Sequence, residues 1–322
     1  MSHVLGLDGG GTKTLIALAD RTGAVVRLVS GASLDPTAAA DWPARLSSQI
    51  SDVTEGQGAP AAAVFGLSFH DEIKAFTAQQ EEVAARLLPA SRVIVDNDVR
   101  IAFDGAFASG GGVLLLAGTG SMVWASRNEA DDPHHRIGGW GDAFGDEGSA
   151  YWIGRESLSL ASRALDGRRA DANEFAQGVL AELSISGDAM IDWIYALENQ
   201  RTAIAGVARI TARLASSGSA VAQAILDQAC DHLADHVRAA EKLLSPTGEQ
   251  RQPWSYAGGV FGNPSILEGV KQRLKTEPVE PVLPPIGGAV LRAAKLAGWD
   301  ADADFIQTLK TSLHHILQSK TQ

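Results

Sequence analysis

Cysteine is nearly missing: Cys230 is the single one in 322 residues. An intramolecular disulfide, a multi-cysteine zinc site and an iron–sulfur cluster held by four thiolates of one chain are thereby excluded, and a reducing compartment is expected. Long apolar runs are missing too. No stretch of ~20 uninterrupted apolar residues would span a bilayer. Met1-Ser2-His3 leads straight into an apolar strand, without the basic segment and apolar core of an export signal, so a cytoplasmic location with no membrane partner is expected. Basic residues are in deficit, 27 Lys and Arg against 38 Asp and Glu, a formal net charge of -11. Nucleic acid and anionic lipid are bound by Lys and Arg that neutralise phosphate, so neither partner is expected. The eight histidines show no metal-ligand spacing with acids or with Cys230, and only His70 stands near a strand end.

What is present is an ordinary globular composition, 45% hydrophobic and 20% charged. A chain of this length exceeds the usual single core, so two lobes with a cleft between them are expected. Val4–Asp8, Leu15–Ala19 and Val25–Val29 are apolar runs separated by glycine turns and read as an antiparallel meander. Helical periodicity follows over about 37–54 and 71–88, with buried strands near 62–67 and 92–95. The pattern then restarts at Gly110-Gly111-Gly112, with Val113–Ala117, the turn Gly118-Thr119-Gly120-Ser121 and a strand around Met122 to Ala125. Two strands that each deliver a Gly/Thr turn are a degenerate internal repeat. Residues from about 149 to 245 read as helices, and a last helix spans roughly 304–318. The expected division is an N-terminal lobe over 1–108, which the C-terminal helix 304–322 would complete, and a C-terminal lobe over 109–303 with a helical insertion.

A glycine turn after a buried strand lets backbone N–H groups crowd around an anion. Gly10, Gly11, Thr12 and Lys13 offer such a turn, and Thr119 with Gly120 offers a second. Neither matches the P-loop or dinucleotide-binding glycine pattern. Asp8, at the strand end beside the first turn, can hold Mg2+ through hard oxygen ligands. Asp98, with Asp96 as its rival, can accept the proton of an attacking hydroxyl. The segment Gly138–Ala150 gathers glycines, Trp140, Asp142, Asp146 and Glu147 ahead of a helix, the mixture a sugar needs: carboxylates for hydroxyls and an aromatic face for the ring. Gly258 and Gly259, with Asn263 beyond them, would admit an adenosine close to backbone.

In this order the segments resemble the N-acetylglucosamine kinase branch of the sugar kinase/Hsp70/actin superfamily, the group of BadF/BadG/BcrA/BcrD-type ATPases, over nearly the whole chain. Leu7–Thr14 looks like the family's first phosphate motif, Ala117–Ser121 its second, Gly258–Phe261 its adenosine motif, and Gly138–Ala150 with Tyr151-Trp152 is the most specific match. The resemblance implies an α/β fold of two RNase H-like, actin/hexokinase-type lobes, mixed sheets flanked by helices, closing on a small sugar, and a homodimer. It implies ATP and Mg2+, with Asp98 rather than Asp96 as catalytic base and Asp146 holding sugar hydroxyls. Gly139 and Trp140, and Ser68 in the strand-end segment Gly66–His70, belong to the same sugar side. That segment lacks the paired glycines of the family. Asp35 stands where relatives usually carry Asn, and Met122 where N-acetylglucosamine kinases often carry Asn, so the substrate side departs from the pattern.

The expected activity is therefore transfer of the γ-phosphoryl group of ATP to a hydroxyl, O6, of an amino sugar, N-acetylglucosamine first and glucosamine or another hexose as the alternative. An ATPase that activates a 2-hydroxyacyl-CoA dehydratase or a benzoyl-CoA reductase is the rival from another class, and it needs cluster-ligating cysteines. A DNA-binding sugar repressor is not expected, since the first glycine strand opens at Val4.

Overall fold

The structure is a computed structural model describing residues 2–10, 13–108, 110–127, 133–246 and 251–319. In chain order, β1 (Val4–Gly9), β2 (Lys13–Ala19) and β3 (Val25–Ala32) lead to α1 (Trp42–Thr54), β4 (Ala62–Leu67), α2 (Lys74–Leu87), β5 (Arg92–Asn97) and α3 (Asp98–Phe107). Next come β6 (Gly112–Ala117), β7 (Ser121–Ser126) and β8 (His135–Gly138), then α4 (Ala150–Leu165), α5 (Asn173–Leu183), α6 (Met190–Tyr195), α7 (Gln200–Ser216) and α8 (Ala220–Leu244). β9 (Trp254–Ala257), α9 (Pro264–Leu274), α10 (Pro285–Leu296) and α11 (Ala303–Ser319) complete the chain. Helix α3 fills a stretch for which the apolar pattern predicts no element. Asn97 caps it by accepting from Val99 N, with Asp98 favourably placed in the first turn.

Met1–Gly112 and Glu280–Gln322 make one compact unit, Val113–Arg127 and Asp132–Val279 a second. The first holds a mixed sheet of order β3-β2-β1-β4-β5, in which β1, β4 and β5 run parallel and β2 and β3 are antiparallel additions. Both faces are buried, which explains the near-continuous apolar runs of β1 and β4. Successive side chains alternate between faces. Leu5, Leu7, Phe65 and Leu67 pack with Trp42, Leu46 and Val83 from α1 and α2, whereas Val4, Ala62 and Val64 pack with Ile101, Ile286, Val290 and Leu309.

That second face corrects the expected boundary. Residues 280–303 belong to the first unit, because α10 is the apolar layer its sheet requires. Gly6 lets α10 approach, since a Cβ there would stand 2.6 Å from Val290 N. In the second unit the sheet order is β8-β7-β6-β9, with β6 and β9 parallel and β7 and β8 antiparallel. This repeats β3-β2-β1-β4, the physical form of the repeat seen in the sequence. Its core joins Val113, Leu115 and Val123 to Trp152, Phe175, Leu226 and Leu233 of the helical segment. Among the described residues, no helix is long and apolar enough to cross a membrane.

Candidate active site

In the first unit, parallel register sets Asp8 opposite Gly66, and Gly66 opposite Asp96. The carboxyl ends of β1, β4 and β5 therefore finish level, and Asp8, Ser68 and Asp98 share the edge where ligands of α/β sheets bind. Ser68 Oγ lies 2.9 Å from Asp98 Oδ2 and 3.1 Å from Gly9 O, so its one proton is shared between the two acceptors. Buried Gln80 fixes this segment from behind, its Nε2 donating to Ser68 O at 2.9 Å. Ser33 Oγ donates to Gly10 O at 3.1 Å. Hydroxyls thus hold the carbonyls of both glycines.

Burial pushes the Asp98 carboxyl up to about 6, against the hydrogen bond from Ser68 and with a further push from Glu72. Burial and the neighbouring Asp98 push Asp8 up to about 7, with Lys13 opposing. Two crowded acids with one lysine nearby suit a divalent cation, so the residues fit Mg2+ at Asp8. Asp96 is engaged elsewhere, since Arg292 Nη1 donates to its Oδ2 at 2.6 Å and Arg292 Nε stands 3.2 Å from Asp104 Oδ2. Asp35 Oδ1 accepts from Thr37 N and Thr37 Oγ1, at 2.8 and 2.6 Å, an Asx turn after β3. Gly11 and Thr12 lie outside the described residues.

In the second unit, Asp146 is the organising group. Its side chain is 4% exposed, its φ is 57°, and its Oδ2 accepts from Arg201 Nη2 at 2.8 Å. Oδ1 accepts from Ser121 N at 3.3 Å and packs so closely on Gly120 that a Cβ there would stand 2.8 Å away. Burial pushes the Asp146 carboxyl up and Arg201 opposes it. Ala150 N and Tyr151 N, at the start of α4, donate to Gly118 O and Thr119 O at 2.9 and 3.2 Å. The turn is therefore clamped from both sides by the acidic loop and the helix it precedes. Gly139 N donates to Ser121 O at 3.0 Å, and Arg136 donates to Gly139 O. Trp140 is 72% exposed and Phe144 75% exposed on the same loop. Met122 pairs with Gly138 in register, beneath that loop. Gly258, at φ 107°, abuts the turn from the other side, where a Cβ would stand 2.2 Å from Ala117 O. Gly259 has open space around it, and Asn263 caps α9 by accepting from Ser265 N.

Sequence reasoning missed Arg201, Gln80 and Phe144. Phe144 shares Trp140's glycine-rich context and was findable by the same pattern. Arg201 reaches Asp146 across 55 residues from a helix with no motif, and nothing local marks it.

A family profile described as the BadF/BadG/BcrA/BcrD ATPase family matches residues 5–293. The chain belongs to that family. Among curated relatives, it is 28% identical to an N-acetylmuramic acid/N-acetylglucosamine kinase of Clostridium acetobutylicum over 83% of this chain and 88% of the relative. It is 25% identical to an N-acetyl-D-glucosamine kinase of Dictyostelium discoideum, covering 89% and 96%. Among solved structures, a candidate N-acetylglucosamine kinase from Chromobacterium violaceum superimposes with a TM-score of 0.73 at 25% identity, covering 90% of this chain and 98% of the other. Within the BadF/BadG/BcrA/BcrD family, this chain's one cysteine has a packing role: Cys230 is buried on α8, its Sγ donates to Ile266 O at 3.6 Å, and burial pushes its thiol up to about 11. Such a thiol is poorly suited to ligate a cluster.

Proposed function

We propose that the protein is an ATP-dependent amino-sugar kinase that phosphorylates N-acetylglucosamine at O6, with Asp98 as general base. One observation carries this reading: Asp98 opens α3 at the carboxyl end of the sheet, hydrogen-bonded to Ser68, with its carboxyl pushed to about 6, while Asp96 is held by Arg292. At neutral pH such a group is ionised yet basic enough to accept a hydroxyl proton. Ser68 orients it, and the serine-held glycines of the first turn keep the backbone rigid where a phosphate would be received. Asp8 would hold Mg2+, which when bound neutralises phosphate charge. Asp146 would accept sugar hydroxyls, with Arg201 opposing the upward push of burial on it, and Trp140 would cover the ring. Lys13, Gly10, Thr119, Gly120, Gly258, Gly259 and Asn263, together with Gly11 and Thr12, are assigned to the nucleotide. Gly139, Asp35 and Ser68 are assigned to the sugar side. The kinase names of the relatives support the same reading, which carries with it a homodimer in the reducing cytoplasm, checked by light scattering of the purified chain.

An ADP-release assay over N-acetylglucosamine, glucosamine, N-acetylmuramic acid, N-acetylmannosamine and glucose tests the proposal. N-acetylglucosamine should stimulate ADP release with a phosphate appearing at O6. Stimulation by none of the five would refute it.

A further inference from the structure

We propose that His70, Asp71 and Asp96 form a binding site for a divalent transition ion of the Zn2+ class. His70 is 4% exposed, and among the described residues neither ring nitrogen has a hydrogen-bond partner. Each nitrogen nevertheless faces a carboxylate: Nδ1 is 3.5 Å from Asp71 Oδ2, and Nε2 is 3.5 Å from Glu81 Oε1. Those separations exceed an ordinary N–H···O bond, and a buried imidazole left without a partner is costly. Two ligands each about 2.1 Å from a tetrahedral ion stand about 3.4 Å apart, so the Nδ1–Asp71 distance is that of a pair bridged by an ion. Ligand atoms of His70, Asp71 and Asp96 all lie within 4.8 Å of one another.

The surroundings complete the arrangement. Nε2 faces Glu81 at 3.5 Å, the carboxylate that would take its proton and fix the tautomer once an ion holds Nδ1. Asp96 is oriented by Arg292 at 2.6 Å and by Asn97 N, which donates to Oδ1 at 2.8 Å, and each carboxylate oxygen keeps a second lone pair. Arg292 also offsets part of the negative charge that Asp71 and Asp96 bring together. Phe69 and Asp71 hold φ values of 66° and 59°, so left-handed backbone brackets His70 on both sides. One imidazole with two carboxylates, completed by water, suits Zn2+, Co2+ or Mn2+, whereas Mg2+ and Ca2+ favour oxygen alone. His70 O accepts from Asn97 Nδ2 at 2.9 Å, and Asn97 caps the helix that Asp98 opens. An ion here braces the segment between Ser68 and the end of β5. Spacing conceals the site, because its third ligand comes from a separate strand, β5.

The full chain, stripped of metal by chelation and held in excess Mg2+, is titrated with Co2+ by visible absorption and with Zn2+ by calorimetry. One equivalent should bind with the d–d bands of a low-coordinate site. His70→Ala and Asp71→Asn should abolish it, and Glu81→Gln should weaken it about 10–100-fold. Asn accepts the left-handed backbone at 71, so Asp71→Asn keeps the fold, as thermal unfolding checks. No binding by the wild type in Mg2+, or equal binding by wild type and folded Asp71→Asn, overturns the proposal, and neither result bears on the kinase reading.

Discussion

Arg201 Nη2 stands 2.8 Å from Asp146 Oδ2, a charged hydrogen bond that opposes the upward push burial gives this nearly inaccessible carboxyl. Burial pushes the Asp146 carboxyl up, Arg201 and Ser121 N pull it down, and Asp142 adds a smaller push upward. Removing the guanidinium in Arg201→Ala leaves the upward pushes opposed only by Ser121 N. The variant's sugar KM should rise about 10–100-fold, the size of a lost charged hydrogen bond. A raised carboxyl loses its charge as pH falls, so the variant's KM should climb more steeply toward acid pH than the wild type's. Steady-state kinetics from pH 6 to 8 decide this, and an unchanged pH profile would leave Arg201 with a packing role alone.

Asp96 and Asp98 are two residues apart and have opposite expected phenotypes. Asp98→Asn should lower kcat by about 10²–10⁴ with ATP affinity retained, because the proposed base is lost and the Ser68 partner is not. Asp96→Asn should act on stability. It weakens a pair whose side chains are 17% and 19% exposed, next to the contact of Arg292 with Asp104, a loss of about 1–3 kcal/mol read as a lower Tm.

The Asp98 carboxyl at about 6 also sets a pH dependence. In the proposed role of general base its ionised form is the active one, so kcat/KM should fall tenfold per pH unit below about 6. Stability has the opposite sign. A carboxyl raised from 3.8 to about 6 on folding binds its proton more tightly in the folded state, so its penalty is absent below 3.8 and complete above about 6. Asp98→Asn removes that penalty and should raise the apoprotein's Tm at pH 8, by at most about 3 kcal/mol of stability. An unchanged Tm at pH 8, alongside a fallen Tm at pH 4, would reverse this assignment.

The meander, the restart at Gly110 and the strand-end position of Asp98 were legible in the sequence because each rests on local pattern: apolar period, glycine turn, polar break. Helix α3 was hidden, since its cap signal, Asn97 then Asp98, follows β5 without a loop. The return of α10 to the first sheet was hidden for another reason. Only the missing Cβ of Gly6 reveals that contact, and a glycine in a strand has several meanings. Asp146 was visible as chemistry, while the contacts of Arg201 with Asp146 and of Asp96 with His70 became visible only when distant segments met. Charge pairing between such segments leaves no periodicity to read.

Gly258 and Gly259 separate a structural glycine from one proposed for the nucleotide site. A Cβ at Gly258 would stand 2.2 Å from Ala117 O and take a φ of 107°, whereas one at Gly259 meets nothing within 4 Å. Gly258→Ala should therefore cost on the order of 2 kcal/mol or more, lowering Tm and disturbing the turn at Gly118 that Ala117 leads into. Gly259→Ala should leave Tm within about a degree, since no described residue stands within 4 Å of the added methyl. If a nucleotide comes close to backbone at this turn, that methyl meets the ligand instead, and the KM for ATP should rise several-fold at unchanged stability. A Gly259→Ala enzyme with wild-type Tm and wild-type KM for ATP would remove Gly259 from the nucleotide site.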